Sequence, residues 1–403
     1  MNVVFTIAML ELFVGGGGRL LEVGPLTVRM LLFALCLLTS VLYAATRPNR
    51  ADGTVLALGL VAAYLIVHLC GLVNGMLSGS DVADMLTEMQ QSLYWLGAPF
   101  IAMALQSQRM VQRAADLVRL SGVVLAILYL LAIAALALGI VDYLGLYAVL
   151  SESSEFSFRG ENYFFYKGFL YLGIAAVFFV AVDARYSRWL ALLVVVAMVL
   201  TLTRGFVLST SVAVLLMLMA QRRTRFLGTA ALAVFAAAFA LWVYLPSIEE
   251  GLDLQRDISN LQRLDDLAFV FDRLDVKTLL VGQGLGVPIG ERVNVENTFL
   301  WALWKLGLPG VVFWVSPLLL CLNYYLRIDR GDSAHPLAAA FAFGTLLVYL
   351  QTLSNPYLNN PIGLSYVLVS LFALRTLSRH RVGPAATRLA SPDATRPGAL
   401  ISA

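Results

Sequence analysis

The sequence predicts an all-α polytopic membrane protein of about twelve transmembrane helices, and three observations lead there. Of 403 residues, 60% are hydrophobic and 13% are charged, against roughly 45–50% and about 25% in soluble domains. The apolar residues gather in continuous runs, most of them near the about 20 residues that a helical span needs. The short stretches between runs alternate between carrying cations and lacking them. So little charge leaves too little polar surface to face water, and lipid has to solvate the rest. Only helices or closed barrels satisfy their backbone polar groups in lipid, and unbroken apolar runs select helices.

The runs lie at roughly 2–14, 26–46, 54–74, 89–106, 118–140, 164–183, 187–203, 205–220, 225–245, 297–326, 336–354 and 361–378. The first is preceded by no basic segment and followed by no obvious cleavage site, so it reads as a retained span. One set of connections carries Arg47 and Arg50, then Arg109, Arg113 and Arg119, then Arg185 and Arg188, then Arg222, Arg223 and Arg225, then Arg327 and Arg330. The alternating set is poor in cations: 75–88 holds Asp81, Asp84 and Glu88 with no Lys or Arg, and 355–360 holds no charge. The positive-inside rule puts the first set in the cytoplasm. Twelve spans keep the parity, which puts both ends there too. The expected organisation is therefore 1–245, transmembrane helices 1–9 with short loops and an outer-side segment 141–163; 246–296, a large and partly helical outer-side loop; 297–378, helices 10–12; and 379–403, a disordered cytoplasmic tail rich in Ala, Pro, Arg and Ser.

Within the large loop, Leu254, Ile258, Leu261, Leu264, Ala268 and Phe271 recur at helical spacing and predict an amphipathic helix over 249–275. Arg256 and Arg263 are seven apart and leave that helix on nearly the same face, with Asn260 between them. Gly282-Gln-Gly-Leu-Gly286, with Pro288 and Gly290, predicts a tight turn before the next span.

Cys36, Cys70 and Cys321 all fall inside apolar runs, with no CxxC or Cys/His metal spacing. No cofactor, metal or nucleic-acid partner is called for. Candidate chemistry lies with polar groups at membrane edges, where charge is costly and therefore informative. Arg204, in Thr201-Leu-Thr-Arg-Gly205, sits on the side where positive charge is disfavoured; the plain alternative is an interfacial arginine that snorkels. Arg159, Arg256 and Arg263 fall on that same side. Four guanidiniums there suit a multiply charged anion, because the planar fork makes paired bonds to phosphate. Salt bridges with Glu152, Glu155, Glu161, Asp253 or Asp265 are the competing account of each one. Glu296, where the loop re-enters the membrane, is the carboxylate best placed to act as a base; the competing account is a charge favoured by a helix N-terminus. The bare GxGxG outside a strand–helix unit reads as a turn rather than a phosphate cradle. His68 reads as a packed polar residue.

Four stretches resemble the O-antigen polymerase and O-antigen ligase superfamily, multi-span transferases acting on undecaprenyl-diphosphate-linked glycans. Phe158-Arg-Gly-Glu-Asn162 looks like the family's Arg–Gly–Asn segment, and Leu202-Thr-Arg-Gly205 like its (Ser/Thr)-Arg-Gly turn. Asn260-Leu-Gln-Arg263 through Gly286 is similar to part of its large periplasmic loop. Glu296-Asn-Thr-Phe-Leu300 with Lys305-Leu-Gly-Leu-Pro-Gly310 is similar to its His–Asn segment and the glycines after it. Glu296 stands where the ligases usually show His, which leans the resemblance towards a polysaccharide polymerase.

The resemblance implies a GT-C-like membrane fold in the bacterial inner membrane, with its active site facing the periplasm. It implies a glycan donor on undecaprenyl diphosphate, a lipid-linked acceptor, and a chain-length regulator and flippase as further partners. Carried onto this sequence, Arg204 and Arg263 would neutralise the leaving diphosphate, with Arg159 and Arg256 assisting. Glu296 would take the acceptor proton, and Asn297 would orient it or the sugar. The alternatives are an O-antigen ligase delivering the glycan to lipid A–core, and a transporter of lipid-linked glycans. The transporter predicts matching broken halves and charges near the midplane, and no clear internal repeat is present.

Overall fold

The computed structural model describes residues 1–15, 22–23, 26–46, 53–151, 155–159, 163–182, 186–221, 253–293 and 295–379. The apolar run 225–245 and the tail beyond Arg379 lie outside the described residues, as do Glu152, Glu161 and Asn162.

Among the described residues the regular structure is helical apart from two short antiparallel ribbons. Helix α1 (Asn2–Val14) leads through β1 (Glu22–Val23) and β2 (Leu26–Thr27) into α2 (Val28–Thr46) and α3 (Thr54–Leu77). Next come α4 (Val82–Ser92), a 3₁₀ turn (Leu93–Gly97), α5 (Ala98–Ala104), α6 (Gln108–Ala137) and α7 (Tyr143–Ser151). The hairpin β3 (Phe156–Arg159) and β4 (Tyr163–Tyr166) precedes α8 (Leu170–Ala181), α9 (Ser187–Leu200) and α10 (Arg204–Ala220). The last helices are α11 (Asp253–Asp272), α12 (Val276–Val281), α13 (Thr298–Leu326), α14 (His335–Gln351) and α15 (Pro361–Arg379).

Five helices among the described residues are long and apolar enough to cross a membrane: α2, α3, α6, α13 and α15. Six shorter apolar helical stretches accompany them. The chain is thus an all-α multi-pass membrane protein. Helices α8, α14 and α15 form its centre: nearly every residue of α8 and α15 is buried. Helix α8 packs on α6, α9, α10 and α14, while α15 packs on α13, α14 and α5. Small residues bring backbones close, as they do between membrane helices generally. A Cβ on Gly122 of α6 would stand 2.2 Å from the Ala175 Cβ of α8. Helix α3 shows its place in its pattern: Ala57, Leu60, Tyr64, His68, Gly71 and Gly75 are buried at three- and four-residue intervals, while Val55, Leu58, Ile66 and Leu69 on its other side are exposed.

Two elements differ from the sequence reading. The run 89–106 is not one helix: α4 ends at Ser92, and the chain turns through 3₁₀ geometry before α5. The run 164–183 starts as a strand, because Tyr163–Tyr166 pairs with Phe156–Arg159 and buries Phe164, Phe165 and Tyr166. The amphipathic helix expected over 249–275 is α11, and its apolar stripe faces outward: Leu261, Leu264 and Phe271 are exposed, while Asp266 and Val270 are buried.

Candidate functional site: the end of the bundle where α10 and α13 begin

Glu296 and Asn297 immediately precede α13. The Asn297 carboxamide oxygen accepts from the Phe299 and Leu300 N–H groups at 3.0 and 3.1 Å, the usual device for satisfying open donors at a helix start. Asn297 is therefore the cap that fixes where α13 begins. The preceding carboxylate is held in place by α11. Both Nε and Nη2 of Arg263 lie 2.6 Å from Oε2 of Glu296, and Nη2 also reaches the Ser354 carbonyl at 3.4 Å. Both side chains are 40% exposed, so the pair is open to an incoming ligand.

Ser354 belongs to the turn that closes α14, and the same turn reaches α10. Gln351 Nε2 donates to the Gly205 carbonyl at 2.9 Å, in the first turn of the helix that Arg204 opens. Arg204 is exposed. The turn before it is tightly fixed. Leu202 is the one non-glycine residue with positive φ (53°) among the described residues, a conformation L-residues rarely adopt. Thr201 and Thr203 bond back onto the Met198 and Thr201 carbonyls, and the Tyr129 hydroxyl donates to the Leu200 carbonyl at 2.8 Å. Strain of this kind persists only where the surroundings over-determine it. Arg204, Arg263 and Glu296 are thereby carried to one end of the bundle by three separate elements.

Two other predicted arginines are placed by their backbones. Arg159 ends β3, with its backbone in register with Tyr163, and Arg256 lies in the first turn of α11; their side chains lie outside the described residues. Among the carboxylates named as competing partners, Glu155 pairs with Lys167 at 3.5 Å. Arg292 meets the Asp266 carboxylate and the Gln262 carbonyl. His68 is a packed residue: its Nδ1 donates to the Tyr64 carbonyl at 3.0 Å, and its Nε2 faces Ser92 Oγ at 3.3 Å.

The Gly282–Gly290 loop is what ties the site to the bundle. Helix α13 breaks at Gly307 (φ 66°, ψ −162°), leaving carbonyls without intrahelical donors. The loop supplies them: Gln283 N–H donates to Trp304 O at 2.7 Å and Gly284 N–H to Lys305 O at 3.1 Å. Leu285 N–H donates to the Gly71 carbonyl of α3 at 2.9 Å. Gly282, Gly284 and Gly286 all have positive φ. Close approach matters as much: a Cβ on Gly284 would lie 2.1 Å from the Gly75 nitrogen.

Sequence reasoning missed the charged pair beneath this loop. Lys305 Nζ lies 2.6 Å from Glu88 Oε1, and both side chains are fully buried. The other carboxylate oxygen of Glu88 accepts the Gly286 N–H at 2.8 Å. A lone lysine inside the run 297–326 was the available signal, since a cation in a span costs about 2.5–3.5 kcal/mol on the insertion scale. Beside the loop, Asp275 caps α12; bonds to the Thr278 side chain and then to its N–H hold this carboxyl below the usual aspartate value.

No family model matches the chain. Over 371 residues it is 27% identical to the O-antigen polymerase of Shigella flexneri, covering 90% of this chain and 92% of that protein. The likeness therefore runs through the whole helical body, well beyond the four stretches that first suggested it. The chain is similar, nearly end to end, to an O-antigen polymerase, and the resemblance to the O-antigen polymerase and ligase superfamily stands.

Proposed function

We propose that this protein is a bacterial polysaccharide polymerase of the O-antigen type. It is a membrane glycosyltransferase that moves a glycan from undecaprenyl diphosphate to a lipid-linked acceptor repeat. The observation that carries the reading is the Arg263–Glu296 pair at the same end of a multi-pass bundle as the start of the Arg204 helix, in a chain similar throughout to an O-antigen polymerase. Such an end offers a cationic place for a diphosphate and a carboxylate beside it.

The acceptor hydroxyl oxygen attacks C1 of the donor sugar and the C1–O bond to diphosphate breaks. The diphosphate leaves with the bonding pair. Arg204 and Arg263 stabilise the charge that develops there, with Arg159 and Arg256 assisting, and Glu296 takes the acceptor proton. The pairing seen here gives an order to these roles. While Arg263 holds Glu296, the carboxylate is neutralised; a diphosphate that draws Arg263 away frees Glu296 as a base. Asn297 sets the position of Glu296 by capping α13. Neutralisation by arginine needs no metal. In this reading the chain has twelve spans, both ends are cytoplasmic, and 141–163 and 246–296 lie in the periplasm with the active site.

The test is a ladder assay. Purified wild type and Glu296→Gln are incubated with synthetic undecaprenyl-diphosphate repeat units in the presence of EDTA. A ladder from wild type that the Gln variant loses supports the reading. Transfer only when lipid A–core is supplied makes the protein a ligase. A ladder abolished by EDTA sinks the metal-free mechanism, and a full ladder from Glu296→Gln sinks Glu296 as the base.

A further inference from the structure

The exposed stripe of α11 calls for a partner. Leu261, Leu264, Ala268 and Phe271 recur at three- and four-residue intervals on one side of the helix, and all are exposed. The face turned to the protein is the more polar one. It carries Arg263 against Glu296, Asp266 against Arg292, and Phe269 against Trp304 at 5.5 Å between ring centroids. Stripe burial cannot be what fixes the helix here, because Leu264 keeps 62% of its surface open.

What covers the stripe follows from what it joins. Helix α12 continues it, with Val276 73% exposed and Leu280 and Val281 open beside it. Helix α12 in turn is bonded to the end of α3: Asn74 Nδ2 donates to the Val281 carbonyl at 2.9 Å, and Ser78 Oγ to the Gln283 carbonyl at 3.0 Å. On α3 the exposed residues Leu69, Val73 and Leu77 belong to the lipid-facing surface of a 24-residue span. Exposed apolar residues thus follow one another on a membrane helix, on α12 bonded to its end, and on α11 next to it in the chain. Asp265 and Asp272 border the stripe and are exposed, as expected of a helix lying in an interface with a polar edge turned to water.

We infer that α11 and α12 form an interfacial platform: their exposed apolar stripe lies in the leaflet at the end of the bundle where α3 stops. Arg263 leaves α11 about a third of a turn from the middle of this stripe. The platform therefore holds the guanidinium at headgroup depth, level with the phosphates of any lipid in that leaflet. This inference needs the chain to span the membrane and does not depend on the polymerase reading.

Spin labels at Leu264→Cys, Phe271→Cys and Val276→Cys test it, in a Cys70→Ser background because Cys36 and Cys321 are buried. The full chain is placed in nanodiscs of phosphatidylethanolamine and phosphatidylglycerol, and collisions with oxygen and with a water-soluble nickel chelate are measured. Oxygen collisions should exceed nickel collisions at all three positions, and the ratio should invert at Asp265→Cys. Nickel-dominated collisions on the stripe would mean that it faces water, and the platform is wrong. Low values for both reagents would mean that protein covers it, a second copy or another part of the chain, and the platform is equally wrong. Val276, on a separate helix, keeps the test open if a label on α11 prevents folding.

Discussion

Lys305 Nζ and Glu88 Oε1 stand 2.6 Å apart with no solvent reaching either side chain, joining the first half of α13 to α4. Breaking a buried pair strands the surviving charge, at about 3–5 kcal/mol. Lys305→Met and Glu88→Leu should each lower the melting temperature of the purified protein sharply. The double variant should recover most of the loss, because no charge is then left alone. Single variants that melt like wild type would show that the pair holds nothing together.

Arg263 and Glu296 should behave in the opposite way. Both are 40% exposed, and exposed pairs contribute about 0–1 kcal/mol. Arg263→Ala is expected to melt near wild type yet lose roughly 10²–10³ in polymerisation rate, the size of a lost transition-state donor. Glu296→Gln should lose about 10²–10⁴, the range of general-base catalysis. A large drop in melting temperature for either variant would make the pair structural instead.

The glycines of the loop separate into two kinds. Gly284 has φ +108° and would put a Cβ 2.1 Å from the Gly75 nitrogen, whereas Gly290 has φ +61° with nothing within 4 Å. Gly284→Ala should therefore destabilise the fold and abolish ladder formation. Gly290→Ala carries only the cost of a left-handed backbone for an L-residue, about 1–2 kcal/mol. Equal yields and melting temperatures for the two variants would contradict the packing described for the loop.

Asp275 gives a pH dependence with a definite sign. Its carboxyl is held below the usual value by Thr278, so the folded form releases its proton more readily than the unfolded form. The cap then stabilises α12 at any pH above the ordinary aspartate value of about 3.9. The contribution fades as pH falls through the folded value. Hydrogen exchange at Thr278 and Leu279 should be faster in Asp275→Ala than in wild type at neutral pH. The gap should close on acidification; a gap constant down to pH 3 would sink the assignment.

Much of the helical body was legible because membrane helices advertise themselves by length and composition. Runs 2–14, 54–74 and 361–378 became α1, α3 and α15 with small changes at their ends. The interruptions were not legible. In 89–106 the turn at Leu93–Gly97 is marked only by Gly97 and Pro99, which apolar neighbours masked, and the apolar aromatics of 163–166 suit a strand as well as a span. Arg263 and Glu296 were each named from residue type and position, but their pairing was not, since 33 residues separate them and nearer carboxylates competed. The stripe on α11 was legible as periodic, but its exposure was not, because periodicity states which residues share a side and not what covers that side. Glu88 was hidden by its acidic neighbours Asp81 and Asp84, which made 75–88 look like an ordinary loop.

The break at Gly307 also bears on how the protein is made. Synthesis runs from the N-terminus, so Gln283 and Gly284 always exist before the Trp304 and Lys305 carbonyls they satisfy. Glu88, the counter-ion of Lys305, was made earlier still. Helix α13 therefore enters the bilayer with donors and neutralising charge already waiting, and the lysine need never reside in lipid alone. A circular permutant opened between Glu291 and Arg292 would reverse that order, presenting a broken and charged helix to the insertion machinery before anything could complete it. Although its finished contacts would be the same, that chain should insert poorly and be degraded. The order of the segments is thus part of what the sequence encodes.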